Sequence, residues 1–184
     1  METPRRLRVA NRRARWRDAA LGLMLVSNFL TPCLANAQTS ALIVDGEVES
    51  RLALSLDDLR AMAHQSGEVD DQGRRATYEG VPITEILRRA GVAIGRAPLR
   101  GKALTSVVFV TGLDGFQAVF TLAELDPAST GQRVLLADAV DGRLLSGKDG
   151  PLRVVAPGDK YPARWVRQVV RLTVASVTSP ALKR

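Results

Sequence analysis

The sequence predicts an α+β domain of short strands mixed with short helices. Three observations predict it. Strand-like and helix-like pieces follow one another at short spacing, the helical pieces are only one or two turns long, and they do not alternate regularly with strands as a doubly wound sheet requires. No internal repeat or low-complexity run suggests a repeat architecture or a disordered chain.

Taken in order, Ala41–Val44 is an apolar strand ending at Asp45-Gly46, a tight-turn pair, with a second short strand near Arg51–Leu54. Ser55 followed three residues later by Asp58 is an N-cap with its acidic partner, and opens a helix expected to reach Ala63. Glu68–Gly80 is polar and reads as two strands around an Asp70–Gly73 turn. Pro82 suits a first helical turn, Ile83, Ile86, Leu87 and Ala90 share one face at helical spacing, and Gly91 caps the end. Ser106–Val110 and Phe116–Phe120 flank a Leu113-Asp114-Gly115 hairpin. Thr121–Glu124 caps a single helical turn that Asp126-Pro127 is expected to stop. Arg133–Ala137, Leu152–Ala156 and Val169–Val174 complete the strands.

The ends follow a different logic. Seven arginines between Arg5 and Arg17 precede an apolar run from Ala19 to Leu34, and Ala35-Asn36-Ala37 is a small-x-small cleavage pattern. Residues 1–37 are therefore expected to be a signal peptide and 38–184 the mature domain, periplasmic or secreted. The run is short and interrupted for a membrane anchor, so no stable membrane insertion is expected once the leader is removed. Pro32 before Cys33 disfavours a lipoprotein reading, and Arg15 two places beyond Arg12-Arg13 disfavours a twin-arginine one. The chain carries 26 basic and 19 acidic residues. Subtracting the leader's seven arginines, Glu2 and Asp18 leaves 19 and 17, a net of +2, so global charge gives no case for a nucleic-acid partner. Cys33 is the only cysteine, which leaves the mature part without disulfides or thiolate zinc ligands.

Three segments carry a resemblance. They are Tyr78-Glu79-Gly80-Val81-Pro82-Ile83 with the helix to Val92, Asp114-Gly115-Phe116 with Ala118–Leu122, and Gly150-Pro151-Leu152-Arg153 through Pro157-Gly158-Asp159 to Arg164-Trp165-Val166. In this order and spacing they resemble the molybdopterin-binding domain of the sulfite oxidase family, and are nearest to its small, stand-alone exported members. The resemblance implies that family's single-domain fold, a mixed, barrel-like sheet with short helices, and, as cofactor, molybdopterin. In catalytic members a cysteine after the first helix binds molybdenum, on a strand that here falls around Gly67–Asp71. This chain offers Gly67-Glu68-Val69-Asp70-Asp71 there, and a carboxylate is a hard ligand poorly matched to a metal that wants thiolate.

The family holds the pterin's phosphate with basic side chains and turn amides. Arg153, Lys160, Arg164 and Arg167 surround the Pro157-Gly158 turn, and arginine's planar fork suits phosphate or carboxylate. Tyr78 and Trp165 are candidate pocket walls. The bland reading is solvent-facing arginines and a core tryptophan. Gly142–Asp149 approximates a phosphate-binding loop, but Asp149 stands where a Ser or Thr should ligate magnesium and Gly150-Pro151 breaks the following helix. His64, the only histidine, is expected to face water at a helix end; Ser66 or Ser106 as its nucleophile lacks a nucleophile elbow.

The sequence thus points to an exported protein binding a pterin, another small anionic ligand or a periplasmic partner without redox catalysis. The alternatives are a small molybdenum-cofactor oxidoreductase with non-thiolate ligation and a periplasmic sensing or interaction module.

Overall fold

A computed structural model describes residues 41–71, 73–95 and 97–177, without the side chain of Asp71. The expected leader, including Cys33, and Gln72 of the expected turn lie outside the described residues.

The chain forms two five-stranded sheets joined by short helices. The first has the order β2-β1-β10-β5-β6 and contains β1 (Leu42–Gly46), β2 (Leu52–Leu54), β5 (Ser106–Gly112), β6 (Gln117–Thr121) and β10 (Val169–Ser176). The second runs β3-β4-β7-β8, with β9 also paired to β7. Its strands are β3 (Gln65–Asp71), β4 (Arg74–Pro82), β7 (Leu135–Val140), β8 (Arg143–Leu144) and β9 (Arg153–Val155). One pairing, β1 with β10, is parallel and the others are antiparallel. The α+β class is as expected, and the sheets stay open rather than closing into a barrel.

Apolar residues from both sheets meet in one core, including Leu42, Val108 and Leu172 from the first and Ala76, Leu136 and Val154 from the second. Helix α2 (Ile83–Arg89) buries Ile83, Ile86 and Leu87, the face its spacing predicted. Its end is set by Gly91, whose φ of +87° an L side chain rarely adopts and whose Cβ would strike Glu49. Helix α1 (Leu56–Arg60) is shorter than expected. Its capping box is complete: Ser55 Oγ accepts the Asp58 amide at 3.1 Å, and the Asp58 carboxylate accepts the Ser55 amide at 2.9 Å.

One expectation fails here. Asp126-Pro127 does not simply stop α3 (Leu122–Leu125); it starts α4 (Pro127–Thr130). The Asp126 carboxylate accepts the Ala128 amide at 3.0 Å, and Pro127 occupies the first helical position, where its missing N–H costs nothing.

Candidate functional site

Strand β4 meets β7 with a bulge between Glu79 and Gly80. Gly80 is required there, because a Cβ would lie 2.2 Å from the Leu136 carbonyl oxygen. Two residues before Gly80 on β4, Tyr78 is buried. Tyr78 and Trp165 pack edge to face, with centroids 6.0 Å apart at 81°. The Arg153 guanidinium carbon lies 5.4 Å from each ring centroid, and Nη1 donates to the Tyr78 hydroxyl at 2.8 Å. All three side chains are buried: Tyr78 is 2% exposed, Arg153 4% and Trp165 5%. The same Arg153 Nη1 lies 3.5 Å from Asp149, which also pairs with the exposed Arg167 at 3.1 Å.

The other two expected basic residues lie on the turn after Pro157-Gly158. Arg164 occupies a 3-10 turn (Pro162–Arg164) and donates to both oxygens of Asp159, at 2.8 and 2.6 Å, and to Glu124 at 2.5 Å. Hydrogen bonds to Asp159 first and Glu124 second hold its pKa well above the ordinary guanidinium value. Its flat face lies 4.4 Å from the Phe120 ring centroid. Lys160 is exposed, 5.8 Å from the Tyr161 ring centroid.

The four basic residues are thus engaged at separate places within the chain. Arg153 and Arg167 share Asp149, and Arg164 is chelated by two carboxylates; only Lys160 among the four faces solvent without a carboxylate on it. A phosphate at Arg164 would have to displace two anions already in bidentate and end-on contact. Tyr78 and Trp165, expected as pocket walls, instead pack around the buried Arg153 and do not line the cavities described below. Arg153 is not the solvent-facing strand residue of the bland reading. Trp165 Nε1 is buried without a hydrogen-bond partner among the described residues.

The strand expected to carry the metal ligand lies beside an open cavity. Ser66, Gly67 and Glu68 of β3, Gly131–Arg133 and the Pro157-Gly158 turn line a space of about 370 Å³. A Cβ on Gly67 would approach the Pro157 ring at 3.1 Å and Leu135 at 3.5 Å, so even a small side chain there is tightly placed. Glu68 and Arg133 are exposed at its mouth. Arg133 is a basic residue the sequence reading placed only on a strand; no local signal marks it, since its position depends on β7 meeting β3 through β4. A larger cavity of about 780 Å³ lies elsewhere, between the ends of α1 and α2 and residues 92–103, and holds none of the expected site residues.

His64 is not at the helix end where it was expected. The helix ends four residues before it; Nδ1 meets the Met62 carbonyl at 2.9 Å and Nε2 meets Asp138 Oδ2 at 3.3 Å. Asp138 is a buried β7 residue, so the histidine, exposed as expected, also ties the chain just before β3 to β7. Ser106 hydrogen-bonds Lys102 and Ser176, so it is not a partner of His64. The approximate phosphate loop is largely exposed, as expected.

With this geometry in place, the sequence comparisons give the class. The family described as oxidoreductase molybdopterin binding domain matches residues 29–182, and the chain belongs to it. The crystal structure of the sulfane dehydrogenase SoxCD from Paracoccus pantotrophus is similar in fold, with a TM-score of 0.57 at 21% identity. That match covers 75% of this chain but only 39% of the SoxCD chain, so this protein spans well under half its length. No curated protein matches.

Among the described residues the side chains do not fit a molybdenum centre. The described residues contain no cysteine, and no group of three or more His, Cys, Asp or Glu among them is placed to hold a metal ion. The arginines expected to take a pterin phosphate are bound to the protein's own carboxylates or enclosed by aromatic rings.

Proposed function

We propose that this is an exported member of the molybdopterin-binding family that lacks the metal-ligating cysteine and works by binding, without redox catalysis. The observation that carries the reading is the state of the basic residues: carboxylates and aromatic rings of the same chain occupy Arg153, Arg164 and Arg167. A thiolate-free β3 strand, with Gly67 crowded by Pro157, supports it from the metal side. A small anionic ligand, a pterin among them, would enter the cavity between β3 and the Pro157-Gly158 turn, where Arg133 is the available cation. The alternative occupant of that face is a periplasmic protein partner. The leader-like residues 1–37 motivate the exported location.

The test is the molybdenum and extracted-pterin content of the full-length protein, recovered in mature form from the periplasm of a cofactor-competent host. A family member that loads normally in the same host serves as control. The expected result is no molybdenum. Pterin without metal, lost in Arg133→Glu, identifies the cavity as the ligand site; neither pterin nor metal leaves the partner-binding form of the proposal. Stoichiometric molybdenum overturns it in favour of an oxidoreductase with unusual ligation.

A further inference from the structure

We propose that the cavity between the ends of α1 and α2 binds a small aliphatic anion, an alkyl chain ending in a carboxylate. This site shares no residue with the cavity beside β3. The space measures about 780 Å³, inside the range of small-molecule sites, about 300–1,000 Å³. Three pieces of chain bound it: Ala61–Ala63 after α1, the Glu85–Arg89 side of α2, and the segment from Gly91 to Ala103 that returns toward β5.

The lining specifies both halves of the ligand. Its apolar part comes from Met62, Val92, Leu99 and Ala103, half-buried and packed against the core, and from the buried Ile94. No aromatic residue lines the space, so there is no ring on which a flat ligand would stack, and a flexible side chain such as Met62 adapts to an alkyl chain.

Charge selects the head group. Arg88, Arg89 and Arg100 line the cavity against a single carboxylate, Glu85, leaving two positive charges in excess. Glu85 is paired with Arg88 at 2.8 Å along α2. Arg89 and Arg100 are exposed and form no ion pair among the described residues. Asp58, close enough to feel Arg89, is already held by the Ser55 amide and hydroxyl at 2.9 and 2.7 Å. Glu47 and Glu49 line the neighbouring recess and not this one, and Glu47 pairs with Lys102 at 2.9 Å. Two guanidinium groups without carboxylates, beside an aliphatic wall, match a carboxylate on an alkyl tail: the planar forks donate to its oxygens while the tail leaves water against Val92 and Leu99. The cavity beside β3 differs, since its one arginine, Arg133, shares the lining with Glu68.

Isothermal titration of decanoate into the protein, prepared as for the cofactor assay, tests this. Decyltrimethylammonium supplies a similar tail on a cation, and acetate the same head without a tail. The expected result is saturable one-to-one binding of decanoate, with both other probes at least about tenfold weaker. Arg89→Gln with Arg100→Gln, and separately Leu99→Ser, each weaken decanoate about tenfold or more. Arg143→Gln, which removes an exposed arginine from the other sheet, leaves its affinity unchanged. A wild-type protein that takes up no decanoate to about 1 mM overturns the proposal. Equal binding of either control probe does so too, as does full affinity in either cavity variant while its circular dichroism is native. If the wild type instead pellets with vesicles of anionic phospholipid, the arginines serve a membrane surface and the small-ligand site falls.

Discussion

Arg153 and Arg164 stand eleven positions apart in sequence, yet the protein solves the problem of each cation differently. Arg164 is about one-third exposed and is met by two carboxylates, so charge is balanced by charge. Arg153 is almost wholly buried and is met by two ring faces, a phenol oxygen and the more distant Asp149. The guanidinium suits both places because it is weakly hydrated, flat and rich in donors. The difference is that the Arg153 arrangement depends on shape: remove a ring and a buried cation is exposed to a void. At Arg164, water can replace what is lost.

The most direct way to break this contrast is Trp165→Ala, which removes one wall and leaves a cavity beside a buried charge. It should cost about 3–5 kcal/mol, read as a fall in the urea midpoint at unchanged slope. Tyr78→Phe keeps the ring and removes the hydroxyl that accepts from Arg153; the expected loss is about 1.5–3 kcal/mol, by the same measurement. At the other site Asp159→Asn should cost only about 1 kcal/mol. That cost should shrink between low salt and about 1 M salt, whereas the Tyr78→Phe loss should hardly change. Arg167→Gln, which breaks a contact more than half open to water, should shift the midpoint by less than about 0.5 kcal/mol. An equal salt dependence at Tyr78 and Asp159 would erase the distinction between the two sites.

The fold was legible where the signal is local. Ser55 with Asp58, Gly91 and the Asp114-Gly115 turn each satisfy or free backbone groups within a few residues, so the sequence carries them openly, whereas Pro82, expected in the first turn of α2, ends β4 just before it. Helix α4 was missed because an Asp-Pro pair both ends one helix and begins another. The candidate site was legible in composition and obscure in charge. The sequence shows basic residues around Pro157-Gly158, but not that Glu124, forty positions from Arg164, reaches the same turn. His64 with Asp138 and Gly67 with Pro157 were hidden for the same reason: each contact spans more than seventy residues and exists only after β3, β4 and β7 have assembled.

The position of β10 has a further consequence, for the timing of assembly. It is the last described strand of the chain, yet it lies in the middle of the first sheet, bonded in parallel to β1 and antiparallel to β5. A nascent chain therefore makes both flanks of this sheet before the strand that unites them. Until Val169–Ser176 has emerged, β1 and β5 each present an unsatisfied edge, and their registers with β10 cannot yet be fixed. The first sheet is therefore two separate hairpins until β10 joins them, whereas the second sheet can assemble without waiting for that strand.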